Sequence, residues 1–447
     1  MKKIAGVLLF LVFLAGSGHF SFAAVNDIQI YGDITTQGVS RDLSLGLRGP
    51  RYPGAGTGNT KDTESFFLSQ VRLGFQADLT DNVEADIRLL NERLWGTEAE
   101  SSTNIDLDLA YLKAKDFLTL PLTLTIGRQN LRFGNAFIIG DPDTNLSTSS
   151  SSALYRIADD LSLRKSFDAV RATLDFSPLT LDLIYAAVQE GSTNIDDDIF
   201  LYGFNANYSP DERSTYEVYL FAKDNAKAKE DDNNQIYCAG THLKKDLTNK
   251  LTLNFEAAHQ FGEYRDSSTV HAKRDAWAGQ MGLDYKFLNK AYSMIGGWFT
   301  YLSGDGSASA STGRTYSGWD PMFEDQTGGE LINLILPHTN SYTLKAYFFT
   351  YLHKKLNFLL SYTSTFLAQH HYSTRYPIAN GPAYLNYYYT EPSHRHLADE
   401  VDWKFTYDYS ENTQFVLDTG ILMPGGLLAS ENNNTAYSVR LSAKVTF

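Results

Sequence analysis

Eight basic side chains stand at alternating positions of extended-looking segments: Arg72, Arg88, Arg171, Lys223, Lys345, Lys404, Arg440 and Lys444. If each segment were a strand, all eight would share its polar side. Cations in rows facing water, spaced so that no single site holds too tightly, are what conduction of an anionic chain or solute requires. The same side carries Glu84, Asp86, Asp106, Asp108, Asp182, Glu256, Asp284, Glu400, Asp402 and Asp418. Two readings stay open. In one, acidic neighbours hold the arginines of a basic constriction in place and weaken binding enough for transit. In the other, salt-bridged residues of both signs merely hydrate a wide wall. Glu256 and Asp402 are expected to partner arginines rather than to act in catalysis. Arg132 falls near the end of its segment. Counting from Leu122, Leu124 and Ile126 puts Arg128 on the apolar side, whereas Gln129 falls on the polar one. An arginine in mid-membrane hydrocarbon costs roughly 2–4 kcal/mol, so a bulge near Gly127 is expected to turn Arg128 to the polar side. The candidate lining is therefore Arg72, Arg88, Arg128, Gln129, Arg171, Glu256, Asp402, Lys404 and Arg440.

Other chemistries find fewer parts. A hydrolase triad needs Ser, His and an acid together on one face. His259 sits on the apolar side of its segment with no Ser or acid in phase, which suits a contact at a membrane interface. Adjacent side chains diverge on an extended chain, so His370-His371 and His394 to His396 make poor metal sites. Asp196 to Asp198 and Glu230 to Asp232 lack the glycine and closing glutamate of a calcium loop. Cys238 is the single cysteine, which excludes an intrachain disulfide and a thiolate cluster. No catalytic residue, metal or cofactor is expected.

The elements that must position these side chains are strands. Leu251, Leu253, Phe255, Ala257 and Phe261 alternate with Thr252, Asn254, Glu256, Ala258 and Gln260, the period of two that marks a strand with two different faces. Phe67 to Leu79 and Tyr437 to Phe447 repeat the scheme. Eighteen such segments are counted, centred near Ile30, Val71, Ile87, Leu109, Leu124, Ala172, Leu183, Phe204, Val218, Ala239, Phe255, Met281, Trp298, Leu344, Leu360, Trp403, Leu417 and Leu441. The phase of the segment around Trp298 is ambiguous. Short turns such as Thr80 to Asn82 and His353 to Lys355 alternate with long Gly/Ser/Asp/Asn-rich stretches, among them Gly134 to Lys165 and Gly304 to Asn340. This is the asymmetry of an all-β, transmembrane antiparallel β-barrel with short periplasmic turns and long extracellular loops. A barrel of about eighteen strands leaves an aqueous lumen, into which the two longest loops could fold.

Composition agrees. The chain holds 28 Tyr, 27 Phe and 5 Trp, yet its mean hydropathy is −0.29, as expected when lipid-facing and water-facing residues alternate. Its formal net charge of −14 is the wrong sign for a nucleic-acid partner. It suits an outer surface where divalent ions bridge outer-membrane lipids and lipopolysaccharide. Lys2 and Lys3, the apolar run Ile4 to Ala15 and the small residues Ser21 and Ala23 have the layout of a signal peptide over 1–23, leaving one barrel domain over 24–447. Phe447 ends an alternating apolar face and would present the signal read by the barrel-insertion machinery.

Several segments resemble the alginate export family of outer-membrane porins. They are Gly127 to Gly134 with Ile138 to Asp141, Arg164 to Arg171, Phe255 to Gly262, Tyr301 to Asp305 with Trp319 to Phe323, and Glu400 to Asp402 with Met423 to Gly425. They run in order over most of the barrel. The resemblance implies an eighteen-stranded monomer in the bacterial outer membrane that conducts anionic polysaccharide or another anionic solute. A general diffusion or small-solute uptake porin is the near alternative, and a purely structural or adhesive barrel a more distant one.

Overall fold

The computed structural model describes residues 27–42, 63–96, 105–142, 158–189, 198–225, 234–267, 270–306, 313–335, 338–369, 376–377, 386–387, 394–427 and 434–447. The expected signal peptide, His370-His371, Asp196-Asp197 and Glu230 to Asp232 lie outside these residues.

Eighteen antiparallel strands close into a barrel, each paired with the next in sequence. They are β1 (Asp27–Asp42), β2 (Thr63–Thr80), β3 (Val83–Leu94), β4 (Ile105–Ala114), β5 (Leu122–Asn130), β6 (Ser166–Asp175), β7 (Leu179–Gln189), β8 (Ile199–Asp211) and β9 (Ser214–Asn225). The second half comprises β10 (Asn234–Asp246), β11 (Leu251–Ser267), β12 (Val270–Lys286), β13 (Met294–Leu302), β14 (Ser341–His353), β15 (Leu356–Leu367), β16 (His396–Asp408), β17 (Thr413–Pro424) and β18 (Ala436–Thr446). Every segment centre read from the sequence falls inside one of them. The ring shuts where β1 pairs β18, from Asp33 opposite Thr446 to Asp42 opposite Tyr437. Phe447 finishes the seam. Its N–H donates to the Gly32 carbonyl at 3.0 Å, and its carbonyl accepts the Gly32 N–H at 2.9 Å. Its ring rests against Gly32, where an added Cβ would meet it and the Arg72 carbonyl.

Alternation sorts the faces as expected along β11, where Thr252, Asn254, Glu256, Ala258 and Gln260 are buried while Phe255 and Phe261 are exposed to the lipid side. In β13 the ambiguity resolves. Ile295 and Phe299 face outward, so Trp298 turns inward, its ring lying on Gly282 of β12. The flanking Gly296 and Gly297 carry no side chain to mark a face, which is why the phase was unreadable.

The short connections lie at the end bearing both described termini. At the other end, residues between β5 and β6 and between β13 and β14 fold back into the barrel. A two-residue strand, Thr315–Tyr316, pairs in parallel with Lys273 and Arg274 of β12.

A pair of adjacent single-cysteine labels tests the sorting. An environment-sensitive dye at Phe75→Cys should be quenched by spin-labelled lipid, and one at Gln76→Cys by aqueous iodide. Equal quenching of both by either agent would contradict the alternation.

Candidate functional site

The site is what remains of the lumen once two loops have entered it. The first, described over residues 131–142 and 158–165, leaves β5 through Leu131, Phe133, Phe137, Ile138 and Ile139. These pack on inward-facing Phe167, Tyr219, Phe221, Ile236 and Cys238 of the wall and on Trp319, Met322 and Phe323 of the second loop. The burial of so much aromatic and aliphatic surface is the main force holding both loops inside. Backbone bonds stitch the loops together. Phe323 N–H donates to the Ile138 carbonyl at 3.0 Å, Gly140 N–H to Phe323 at 2.7 Å, and Asp325 N–H to Ala136 at 2.9 Å. Asp325 also takes Arg132 and Lys165 as ion partners. Burial pushes its carboxyl up, and the two cations more than offset this, holding it below the usual carboxylate range. This side of the lumen is therefore a packed core, built by the two long loops that the sequence left free to fold inward.

Buried carboxylates anchor the loops elsewhere. Glu256 accepts the Tyr219 hydroxyl at 3.0 Å, the Asn135 N–H at 3.1 Å and a Gln280 amide at 3.3 Å. Gly134 lies so close to it that a Cβ would clash at 2.8 Å. Glu256 thus holds a loop instead of an arginine. On the opposite wall, Glu92 accepts Ser162 Oγ and the Leu163 N–H, each at 2.8 Å, while Arg41 bonds Asp160 at 2.9 Å. The first loop therefore touches both sides of the barrel. So does the second, described over residues 303–306, 313–335 and 338–340. Lys223 binds its Asp320 at 3.2 Å, and Lys345 donates to the Gly328 carbonyl at 2.9 Å. Glu400 accepts the backbone N–H groups of Leu331 at 2.6 Å and Ile332 at 2.5 Å. Asp402 accepts Ser361 Oγ at 3.3 Å and the Glu330 N–H, again in place of the expected arginine.

The rest of the wall carries further cations paired with acids. Arg88 bonds Asp108 at 2.6 Å, Arg171 bonds Asp182 at 2.8 Å, and Arg72 bonds Asp33 at 2.6 Å. Lys404, Asp418 and Arg440 stand side by side across β16, β17 and β18, with Asp418 bonded to Lys404 at 3.1 Å and Arg440 at 3.0 Å. One ordering recurs: the carboxylate lies beneath and the cation above. Side-chain exposure is 16% for Arg88 against 1% for Asp108, 30% for Arg171 against 4% for Asp182, and 40% for Lys404 against 7% for Asp418. Arg72 over Asp33 and Lys113 over Glu84 follow the same order. Although acids outnumber bases in the chain, the base is the more exposed partner in each of these wall pairs. A cavity of about 340 Å³ between this wall and the first loop is bordered by Arg72, Arg440 and Lys444.

Two positions depart from the expected lining. The ladder runs through Gly127 without a register shift toward either β4 or β6. Gly127 has a φ of +120°, and a Cβ there would strike the Ala110 carbonyl, so glycine is needed for a close strand approach and makes no bulge. Arg128 keeps the outward phase and bonds Asp168, its cross-strand partner, at 3.0 Å. It lies near the loop end of β5, where a lipid-side arginine costs only about 0–1 kcal/mol. Gln129 does face inward, but its amide is spent on the Thr125, Gly127 and Ala169 carbonyls. His259 keeps the outward phase read from the sequence and gains a partner from the next strand. It stacks on Trp277 with ring centroids 4.1 Å apart and bonds Asp275 at 2.8 Å, an acid that reaches it from the neighbouring strand.

Glu330, at the tip of the second loop, ties that loop to the cation wall through Arg440. Burial raises its carboxyl from the ordinary 4.5 to about 8; Arg440 works against this, while Asp418 and Asp402 add to it. The docked loop thus binds the Glu330 proton more tightly than a free one would, so docking is firmest below about pH 4.5 and weakens as pH climbs toward about 8. Loop-opening events in single-channel current should become more frequent over that interval, and Glu330→Gln should flatten the dependence. An unchanged dependence in that variant would remove Glu330 from the docking.

The family model for alginate export matches residues 51–440, whereas no curated protein matches the sequence significantly. Among solved structures, Pseudomonas aeruginosa OccK11 (OpdR) is similar at 10% identity and TM-score 0.56, covering 95% of this chain and 96% of that one. Pseudomonas aeruginosa OpdO gives 12%, 0.56, 95% and 98%, and the outer membrane protein OprD of the same organism gives 10%, 0.52, 96% and 97%. At such identities the likeness speaks for the fold. Family and fold are those of channels and porins of the bacterial outer membrane, and place this barrel there. Given a family match over most of its length and a closed eighteen-stranded wall, the chain belongs to the alginate export family of outer-membrane channels.

Proposed function

We infer that this outer-membrane channel passes anionic polysaccharide or other anionic solutes along a lane of Arg72, Arg88, Arg171, Lys404, Arg440 and Lys444. The observation that carries this reading is the ordering of the wall pairs, in which the acid is buried and the base meets water. A buried carboxylate fixes each cation's position and dilutes its charge. An anion passing over the pair meets a positive edge that attracts it without trapping it, as transit requires. Two loops that cross the lumen narrow the passage, which favours a selective conduit over a general diffusion pore. Arg128 takes no part in this lane, and Glu256, Gln129 and Asp402 serve as supports for loop and wall.

The test is block of ionic current. A uronic-acid oligomer added to one side of a planar bilayer should interrupt chloride current at micromolar to millimolar concentration. Arg171→Gln and Arg72→Gln should each weaken the block about threefold to tenfold, whereas Arg128→Gln should leave it as in the native channel. Equal effects of all three, or none of any, would contradict the lane.

A further inference from the structure

A second cavity, of about 530 Å³, lies away from this lane, between the second loop and the inner faces of β12 to β15. Its volume falls within the roughly 300–1,000 Å³ of small-molecule sites. Its floor is aromatic. Trp298 lies on Gly282 and Tyr347 lies on Gly296, at positions where an added Cβ would enter the rings. Glycine inside a strand marks such a close approach. One face of each ring is therefore pressed to the wall, leaving the other toward the cavity both rings line. Their edges are fixed as well: the Trp298 indole N–H bonds the Tyr347 hydroxyl, which donates to Asp284 at 2.6 Å. Neither ring needs to be ordered when a ligand arrives.

The walls above this floor are polar. Thr300 and Thr343 face each other across β13 and β14. Lys345, directly opposite Trp298 in the ladder, spends one of its three ammonium hydrogens on Gly328. Arg132 borders the far side. The acids there are already neutralised: Asp325 by Arg132 and Lys165, and Glu324 by His338 at 2.8 Å. Burial disfavours the His338 imidazolium, but Glu324 prevails and raises its pKa above the ordinary value.

A flat apolar floor, a rim of hydroxyl and amide groups and one or two cations at the edge match one ligand shape. A pyranose ring has C–H faces that lie on aromatic surface and a hydroxyl rim that needs donors and acceptors; a ring carboxylate adds a single negative charge. We propose that this cavity is a saccharide subsite, in which Trp298 and Tyr347 carry a pyranose ring while Lys345 and Arg132 receive the carboxylate of a uronic acid. This deepens the anion-channel reading, since the lane alone would accept any anion, whereas the cavity selects for sugar.

Binding in detergent micelles separates the two. Calorimetric titration of the full-length protein with a hexameric uronic-acid oligomer should give binding at least tenfold weaker in Trp298→Leu, with partial recovery in Trp298→Phe. Lys345→Met should weaken binding of the uronic-acid oligomer more than that of a neutral glucose hexamer. Polyacrylate of equal charge, which has carboxylates but no rings, should bind the native protein and Trp298→Leu alike. Heat-modifiable gel mobility checks that each variant is folded. No binding by the native protein, undiminished oligomer binding by folded Trp298→Leu, or a loss of polyacrylate binding in step with it would overturn the subsite. A cation-selective channel that still binds sugar through Trp298 would instead overturn the lane and leave the subsite standing.

Discussion

Hydrocarbon offers no partner to a peptide N–H or C=O, so a strand-built membrane protein must close its ladder on itself. The seam between β1 and β18, locked by the reciprocal Gly32 and Phe447 bonds, meets that demand here. Closure divides the side chains into two solvents at every second residue. Lipid takes the leucines, phenylalanines and tyrosines of one face, and whatever the other face carries must be hydrated, paired or packed.

The lumen uses all three solutions in separate sectors. From β6 to β12 the inward apolar side chains, Phe167, Tyr219, Phe221, Ile236 and Cys238 among them, are covered by the two loops. At Glu92, Glu256 and Glu400, buried carboxylates accept N–H and hydroxyl groups that tie the loops to the wall. Breaking such a contact would leave a charge without partners in a poorly hydrated place, an expensive state that keeps the loops inside. In the wall pairs of β1 to β7 and β16 to β18, the acid lies beneath a more exposed arginine or lysine. On the reading proposed here, this ordering is what would let a chain with a net charge of −14 present a basic inner surface.

How much of this could be read from residue order depends on the range of the interaction. Alternation acts between neighbours, so all eighteen strand positions were legible, and it failed to give a phase only beside Gly296 and Gly297. The inward cations Arg72, Arg88, Arg171, Lys404 and Arg440 follow from the same rule. Partners did not, because they are distant: Asn135 reaches Glu256 across 121 positions, and Leu331 reaches Glu400 across 69. Inward Tyr219, Phe221, Ile236 and Cys238 could not be told from lipid-facing residues by pattern, since a loop-filled lumen and a bilayer ask for the same side chains. Gly127 misled for a related reason. A glycine in a strand signals either a bulge or a close neighbour, and only the position of Ala110 decides.

The reversal potential of the native channel under a potassium chloride gradient tests most directly whether the bases govern the water they face. Anion preference is predicted, falling toward neutrality as ionic strength rises and screens the wall. A preference for potassium would contradict it, because the buried carboxylates would then dominate the field in the passage.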